Sequence, residues 1–230
     1  MSLSRDLFGS SSLAFDLDGT LVDTAPDLVR ALNAVIKPKG MAPVLVSDVR
    51  EMVGRGARAM IQRAHDRQGV ALSTGELDRL FPLFIESYQA DVAAHSVTFP
   101  GVVETLDQLR SAGARLSVCT NKPSVLADLL LSELELDGFF DVVIGPERTA
   151  AKKPAADHVF DALGTGYRYA AMIGDSAPDV EAARAAGVPS IVMSYGYSEK
   201  PAGSLGADRL IHEFSDVPEV LAEIWRATPD

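Results

Sequence analysis

Phe15-Asp16-Leu17-Asp18-Gly19-Thr20-Leu21-Val22-Asp23-Thr24 places two carboxylates two residues apart, directly after the apolar run Leu13-Ala14-Phe15. A short apolar run that meets a glycine-containing break reads as a buried strand. Asp16 is therefore expected at the C-terminal end of a strand, where open α/β sheets bind their ligands. Paired carboxylates in that position suit metal-assisted phosphoryl chemistry. They also suit a plain turn, since Asp and Gly accept the dihedrals and Asp bonds nearby backbone. The rest of the chain decides between the two.

After this stretch the pattern turns helical. Leu28, Ala31, Leu32, Val35 and Ile36 recur at i, i+3, i+4, i+7 and i+8, with Pro26 in the first turn. Helices are predicted over 47–53, 57–67 and 74–94, the last kinked at Pro82, and no strand is read among them. Beyond Pro100-Gly101 helices are predicted over 102–112, 123–134, 155–163, 178–186 and 217–226. Strands are predicted over 115–119, 141–144, 170–173, 190–193 and 209–211. Alternation of this kind gives βαβ units and a mainly parallel sheet covered on both faces. The expected fold is α/β, a Rossmann-like doubly wound core formed by residues 1–21 and 97–230 with an all-helical cap, 22–96, inserted into it. The two crossings, near 20–25 and 96–101, are expected hinges of a lid that excludes water.

Composition narrows the function. A chain of 230 residues with 47% hydrophobic content can bury a large core. Its net charge of -11 argues against a nucleic-acid partner, which needs clustered Lys and Arg. Small phosphorylated metabolites need only a local cation or a metal. No apolar run reaches membrane-spanning length, and residues 1–12 lack a signal-peptide pattern, so a soluble cytoplasmic enzyme, monomer or homodimer, is expected. Cys119, the one cysteine, lies in an apolar run and reads as a buried strand residue. His65, His95, His158 and His212 are scattered without zinc-site spacing and read as helix-surface or loop residues.

Three further segments end predicted strands with polar groups. Cys119-Thr120-Asn121-Lys122-Pro123 offers a hydroxyl, an amide and backbone N–H groups before a helix, either an anion site or a helix cap. Lys152-Lys153-Pro154 sits between a strand and a helix, where one ammonium reaches the cleft or both stay solvated. In Ile173-Gly174-Asp175-Ser176-Ala177-Pro178-Asp179, Asp175 again ends a strand and Asp179 begins a helix, where an acid also suits the dipole. Oxygen-only ligands without histidine favour Mg²⁺.

In this order the four segments resemble the haloacid dehalogenase-like superfamily of phosphohydrolases. Residues 15–24 are similar to its first motif, Thr120-Asn121-Lys122 to the second, Lys153-Pro154 to the third and 174–179 to the fourth, which extends through 181–187. Phe99-Pro100-Gly101-Val102, Tyr195-Gly196-Tyr197 and Gly206-Ala207-Asp208 further resemble the phosphoglycolate phosphatase branch. The resemblance implies that Asp16 is the nucleophile, forming an aspartyl-phosphate, and that Asp18 is general acid and then base. It also implies that Mg²⁺ is held by the Asp16 carboxylate, the Asp18 carbonyl and Asp175, with Asp179 behind them. Thr120 and the Asn121 backbone would hold phosphoryl oxygens, and Lys153 would balance charge between Asp16 and phosphate. Ala156 stands where that branch usually has a second proline, leaving Lys152 as a competitor for Lys153.

The implied reaction is Mg²⁺-dependent hydrolysis of a small phosphorylated metabolite, with 2-phosphoglycolate as the expected substrate. A phosphosugar phosphatase or a β-phosphoglucomutase-like phosphomutase is the neighbouring alternative, and Thr20 favours hydrolysis over the mutase. Dehalogenase relatives lack the second aspartate that Asp18 supplies. A phospho-receiver or silent binding protein combines similar residues, but in a compact domain of roughly one hundred residues without a cap. Within the helical region, Val53-Gly54-Arg55-Gly56 reads as a flexed loop that lets Arg55 reach a substrate carboxylate or leaves it facing solvent.

Overall fold

Six strands form one parallel sheet in the order β5-β4-β1-β6-β7-β8 in the computed structural model, which describes residues 3–50 and 52–227. They are β1 (Ser11–Phe15), β4 (Arg115–Cys119), β5 (Val142–Ile144), β6 (Tyr169–Gly174), β7 (Ser190–Met193) and β8 (Arg209–Ile211). Two further strands, β2 (Val22–Asp23) and β3 (Val97–Thr98), pair antiparallel outside the sheet. Glu51 and the terminal residues 1–2 and 228–230 lie outside the described residues, so the ends of the expected 1–230 span are not covered. Among the described residues no helix is long and apolar enough to cross a membrane.

The sheet's two faces follow from side-chain alternation. Ala14, Cys119 and Met172 point to one side and pack with Val159, Ala162 and Ala182 of α8 (Ala156–Leu163) and α9 (Ala177–Ala186). Leu13, Phe15, Val118 and Ile173 point to the other, toward α6 (Val102–Ser111), α7 (Ser124–Glu133) and α10 (Val217–Ala227). Burial on both faces is why β1 ends in the apolar run Leu13-Ala14-Phe15, with Ser11 and Ser12 before it also buried. Successive strands add to one side of β1 (β4, β5) and then to the other (β6, β7, β8), so the order reverses beside β1. Strand ends flanking such a reversal open a crevice, and Asp16 is the first residue beyond β1.

Between β2 and β3 the chain is helical: α2 (Ala25–Ile36), α3 (Val46–Val49), α4 (Ala57–Arg67) and α5 (Thr74–Gln89). Of the helix expected over 47–53, α3 (Val46–Val49) is observed and Glu51 lies outside the described residues; the chain then turns at Gly54 and Gly56, which take φ of 98° and 89°. Helix α5 starts on a Ser73–Glu76 capping box, runs through Pro82 and ends five residues before the expected 94. Asp27, fully buried in α2, explains that stop. Its Oδ2 accepts the His95 N–H at 2.9 Å and the Ser96 hydroxyl at 2.7 Å, pulling the chain out of helix and beside the block's entry. A short helix, α1 (Arg5–Phe8), was not anticipated; its Phe8 packs edge-on against Trp225 with centroids 5.4 Å apart. His65 and His158 are 2% and 0% exposed, which corrects their reading as surface residues; each forms a ring-nitrogen bond to a backbone carbonyl.

Candidate active site

The turn after β1 is wound by the Leu17 carbonyl, which accepts from Leu21 N at 3.0 Å and Val22 N at 3.1 Å. Gly19 sits at its crest with φ of 87°, and a Cβ there would lie 2.2 Å from an Asp175 oxygen. This close approach lets the turn close over the end of β6. The side chains of Asp16 and Asp18, two residues apart, meet different surroundings.

Asp16 is 4% exposed, and its N–H continues the ladder to the Ile173 carbonyl at 2.9 Å. Its Oδ1 lies 3.0 Å from the Lys153 ammonium and has no hydrogen bond otherwise. Asp175 and Asp179 flank it, and one oxygen from each of the three acids lies within 4.8 Å of the others, all buried. Asp179 closes a capping box at the start of α9: Oδ2 accepts from Ser176 N at 3.0 Å and Ser176 Oγ at 2.7 Å, while Oδ1 pairs with Lys153 at 2.6 Å. Asp175 accepts the Thr20 hydroxyl at 3.4 Å and the Tyr197 N–H.

One buried ammonium therefore serves three buried carboxylates. Burial raises Asp16 to about 7, with Lys153 opposing and Asp179 adding to the rise. Burial, followed by the charges of Asp179 and Asp16, also holds Asp175 well above the usual carboxylate range. Burial alone would lower Lys153, but Asp16 and Asp179 outweigh it and raise its pKa. An incompletely bonded buried oxygen, excess negative charge and an all-oxygen donor set fit a small divalent cation.

Asp18 faces the helical block instead. Lys122 Nζ reaches its two oxygens at 2.9 and 3.3 Å and donates to the Tyr88 hydroxyl at 2.8 Å, while Thr24 Oγ1 donates to Asp18 Oδ1 at 2.7 Å. Lys122 is 5% exposed, and Asp18 with Tyr88 overcomes the cost of burial to raise its pKa. Tyr88 stacks on Phe84, and its hydroxyl is pushed up to about 12, chiefly by burial. With Asp16, Asp18, Thr120 and Asn121, the residues Lys122, Tyr88 and Phe84 line a cleft that Val53, Gly54 and Met60 also border.

Thr120 and Asn121 reach this cleft from the end of β4. The Thr120 hydroxyl accepts from Lys122 N at 3.1 Å, leaving its proton free to donate. The Asn121 amide donates to Gly54 O at 3.0 Å and to Lys153 O at 3.1 Å. Between the competing lysines the separation is plain: Lys153 is buried against Asp16, and Lys152 is exposed, donating to Arg55 O at 3.2 Å. Ala156 begins α8, a position that tolerates proline and does not require it. Arg55 is not brought into the cleft. Its guanidinium pairs with Glu199 at 3.0 Å on the neighbouring surface, where Arg63 also holds Glu199.

Reading the residues in order did not single out Lys122 or Tyr88. Lys122 carried a signal, as the charge adjoining Asn121; Tyr88 carried none beyond its i, i+4 spacing from Phe84. Cys119 is the buried strand residue expected, its thiol pushed up to about 12 by burial.

The chain is similar to known proteins over most of its length. Residues 13–193 match the family model described as haloacid dehalogenase-like hydrolase. A curated phosphoglycolate phosphatase of Caulobacter vibrioides is 47% identical over 232 residues, covering 100% of this chain and 98% of its own. One from Agrobacterium fabrum is 42% identical, covering 91% of each. A solved structure from Haemophilus somnus, described as a predicted phosphoglycolate phosphatase, superposes with a TM-score of 0.84 at 28% identity, covering 90% of this chain and 96% of that one.

Proposed function

The chain belongs to the haloacid dehalogenase-like hydrolases, and within that family of enzymes we propose that it is a Mg²⁺-dependent phosphatase acting on 2-phosphoglycolate through an aspartyl-phosphate on Asp16. The observation that carries this reading is the difference in surroundings of Asp16 and Asp18, which face one cleft from one turn.

Asp16 is the nucleophile. Apart from the Lys153 ammonium at 3.0 Å its Oδ1 has no hydrogen-bond partner, and that ammonium offsets the repulsion between carboxylate and phosphate. Asp16, Asp175 and the Asp18 carbonyl would hold Mg²⁺, with Asp179 ordering them through Ser176 and Lys153. When bound, the ion neutralises the acid cluster and polarises the phosphoryl oxygens. Thr120 and Asn121 bind those oxygens at the end of β4. Asp18 protonates the departing alkoxide, then takes the proton of the water that attacks the aspartyl-phosphate. Thr24 keeps its carboxyl directed at that point.

Residues 22–96 form the cap of this reading, and 1–21 with 97–230 its core. The antiparallel β2–β3 pair at the two crossings supports that division. The specific substrate rests on the two relatives' names and on the cation at the cleft wall. Lys122, rather than Arg55, is where a glycolate carboxylate would meet positive charge. Phosphate release from a panel of phosphorylated metabolites, with Mg²⁺ and with chelator, tests the proposal. Rapid Mg²⁺-dependent release from 2-phosphoglycolate, lost in Asp16→Asn, is expected; release from another substrate alone would move the assignment to that compound.

A further inference from the structure

His158 stands in the first turn of α8, wholly buried, and takes no part in the chemistry above. Both ring nitrogens are bonded. The Lys153 backbone N–H donates to Nδ1 at 2.9 Å, and Nε2 lies 2.9 Å from the Ile144 carbonyl at the end of β5. A backbone N–H only donates and a carbonyl only accepts, so the ring is the neutral tautomer with its proton on Nε2. The Ile144 carbonyl also accepts the Thr120 N–H at 3.0 Å. One chain of hydrogen bonds thus runs from Lys153 through the imidazole and Ile144 to Thr120. Asn121 closes the circle by donating to the Lys153 carbonyl at 3.1 Å.

We propose that His158 is a positioning residue: its neutral ring fixes the Lys153 backbone, so that the ammonium sits between Asp16 and Asp179, and ties that loop to the Thr120 loop. The inference rests on the assignment of Lys153 and Thr120 to the phosphoryl group. Hydrophobic packing alone would not require an imidazole here, since Val159, Ala162 and Leu163 of the same helix already fill the core beside it. Protonation of Nδ1 would abolish the Lys153 bond. The surroundings resist it: burial and the adjacent Lys153 lower His158 to about 4, against smaller opposing contributions from the Ile144 carbonyl, Asp161 and Asp179. The neighbouring Cys119 thiol donates to the His158 carbonyl at 3.5 Å and stays neutral.

The test compares His158→Asn, whose Oδ1 stands near the place of Nδ1 and can accept from Lys153 N, with His158→Phe, which accepts nothing. Misplacement of a charged group by about 1 Å costs on the order of 100-fold in rate, so kcat of the Phe variant should fall about 100-fold with KM changed less than about threefold. The Asn variant should recover to within about tenfold of the parent. In the parent, ¹⁵N spectra should show an unprotonated Nδ1 from pH 7 down to about 5. A crystal structure of the Phe variant should show the Lys153 ammonium displaced from Asp16. Equal rate loss in both variants with Lys153 unmoved would overturn the proposal, as would a folded Phe variant of near-parental kcat or a protonated Nδ1 at neutral pH. Should the parent hydrolyse no phosphoester, the functional reading falls, and the position of Lys153 in the variant still decides the role of His158.

Discussion

Asp16 and Asp18 leave the same turn, yet one looks into the α/β core and the other at the helical block. Around Asp16 every partner comes from the sheet's strand ends and the helices behind them: Lys153, Asp175 and Asp179. Around Asp18 the contacts span the two regions: Lys122 from the core and Thr24 from the approach to the block bond it directly, and Tyr88 of the block bonds Lys122. The core side is an electrostatic machine with fixed parts, and changes there should alter turnover. The other side is assembled across two regions; apart from Asp18 and Thr24, which serve proton transfer, changes on that wall should alter which substrate is held.

The largest expected effect tests the core side directly. Asp16→Asn should lower phosphate release by about 10⁴-fold or more, since a nucleophile has no substitute; residual turnover above that level would detach the chemistry from this carboxylate. Lys153→Met should follow, with kcat down about 10³-fold. Removing the one cation from three buried acids should also cost about 3 kcal/mol or more of stability, read by urea unfolding.

The pH dependence sharpens the same contrast. Asp16, raised to about 7 in the folded chain against an ordinary 3.8, binds a proton on folding between those values. Its burial therefore costs stability as pH rises toward 7 in ion-free protein. A bound dication removes that cost. The gain in melting temperature from Mg²⁺ over chelator should grow from pH 5 to pH 8; a gain independent of pH would place the ion elsewhere.

On the wall the effects should be smaller and fall on KM. Lys122→Met is expected to raise KM for 2-phosphoglycolate about 10- to 30-fold, corresponding to the loss of one charge-assisted contact. The same variant should discriminate less against substrates lacking a carboxylate. Arg55→Ala should change kcat/KM less than about twofold, because its guanidinium pairs with exposed Glu199 and does not line the cleft. A large effect there would show that the block moves enough to carry Arg55 into the cleft.

Much of this was legible in the sequence, for physical reasons. Parallel strands covered on both faces are largely apolar, so the apolar runs of β1, β4 and β6 stand out, and the polar groups that follow them mark the crevice. Asp16, Asp175 and Thr120 needed only that logic. Lys122 and Tyr88 did not follow from it, because their contact joins positions 34 residues apart that only folding brings together. Lys152 and Lys153 are chemically identical neighbours, and only burial tells them apart. The β2–β3 pair is two residues long, too short for any periodicity to register. His158 was misread because a buried imidazole satisfied by two backbone groups carries the same sequence signal as a surface one.

That short ribbon has an evolutionary meaning. Paired strands lie about 5 Å apart, and Asp27 holds the two crossings together from within α2. The helical block thus begins and ends almost at one point of the core. A lineage that keeps Thr24, Asp27 and Tyr88 in place can lengthen or shorten the helices between the crossings without shifting the register of a single sheet strand. Length in the block is thereby uncoupled from the strand ends that carry Asp16 and Asp175.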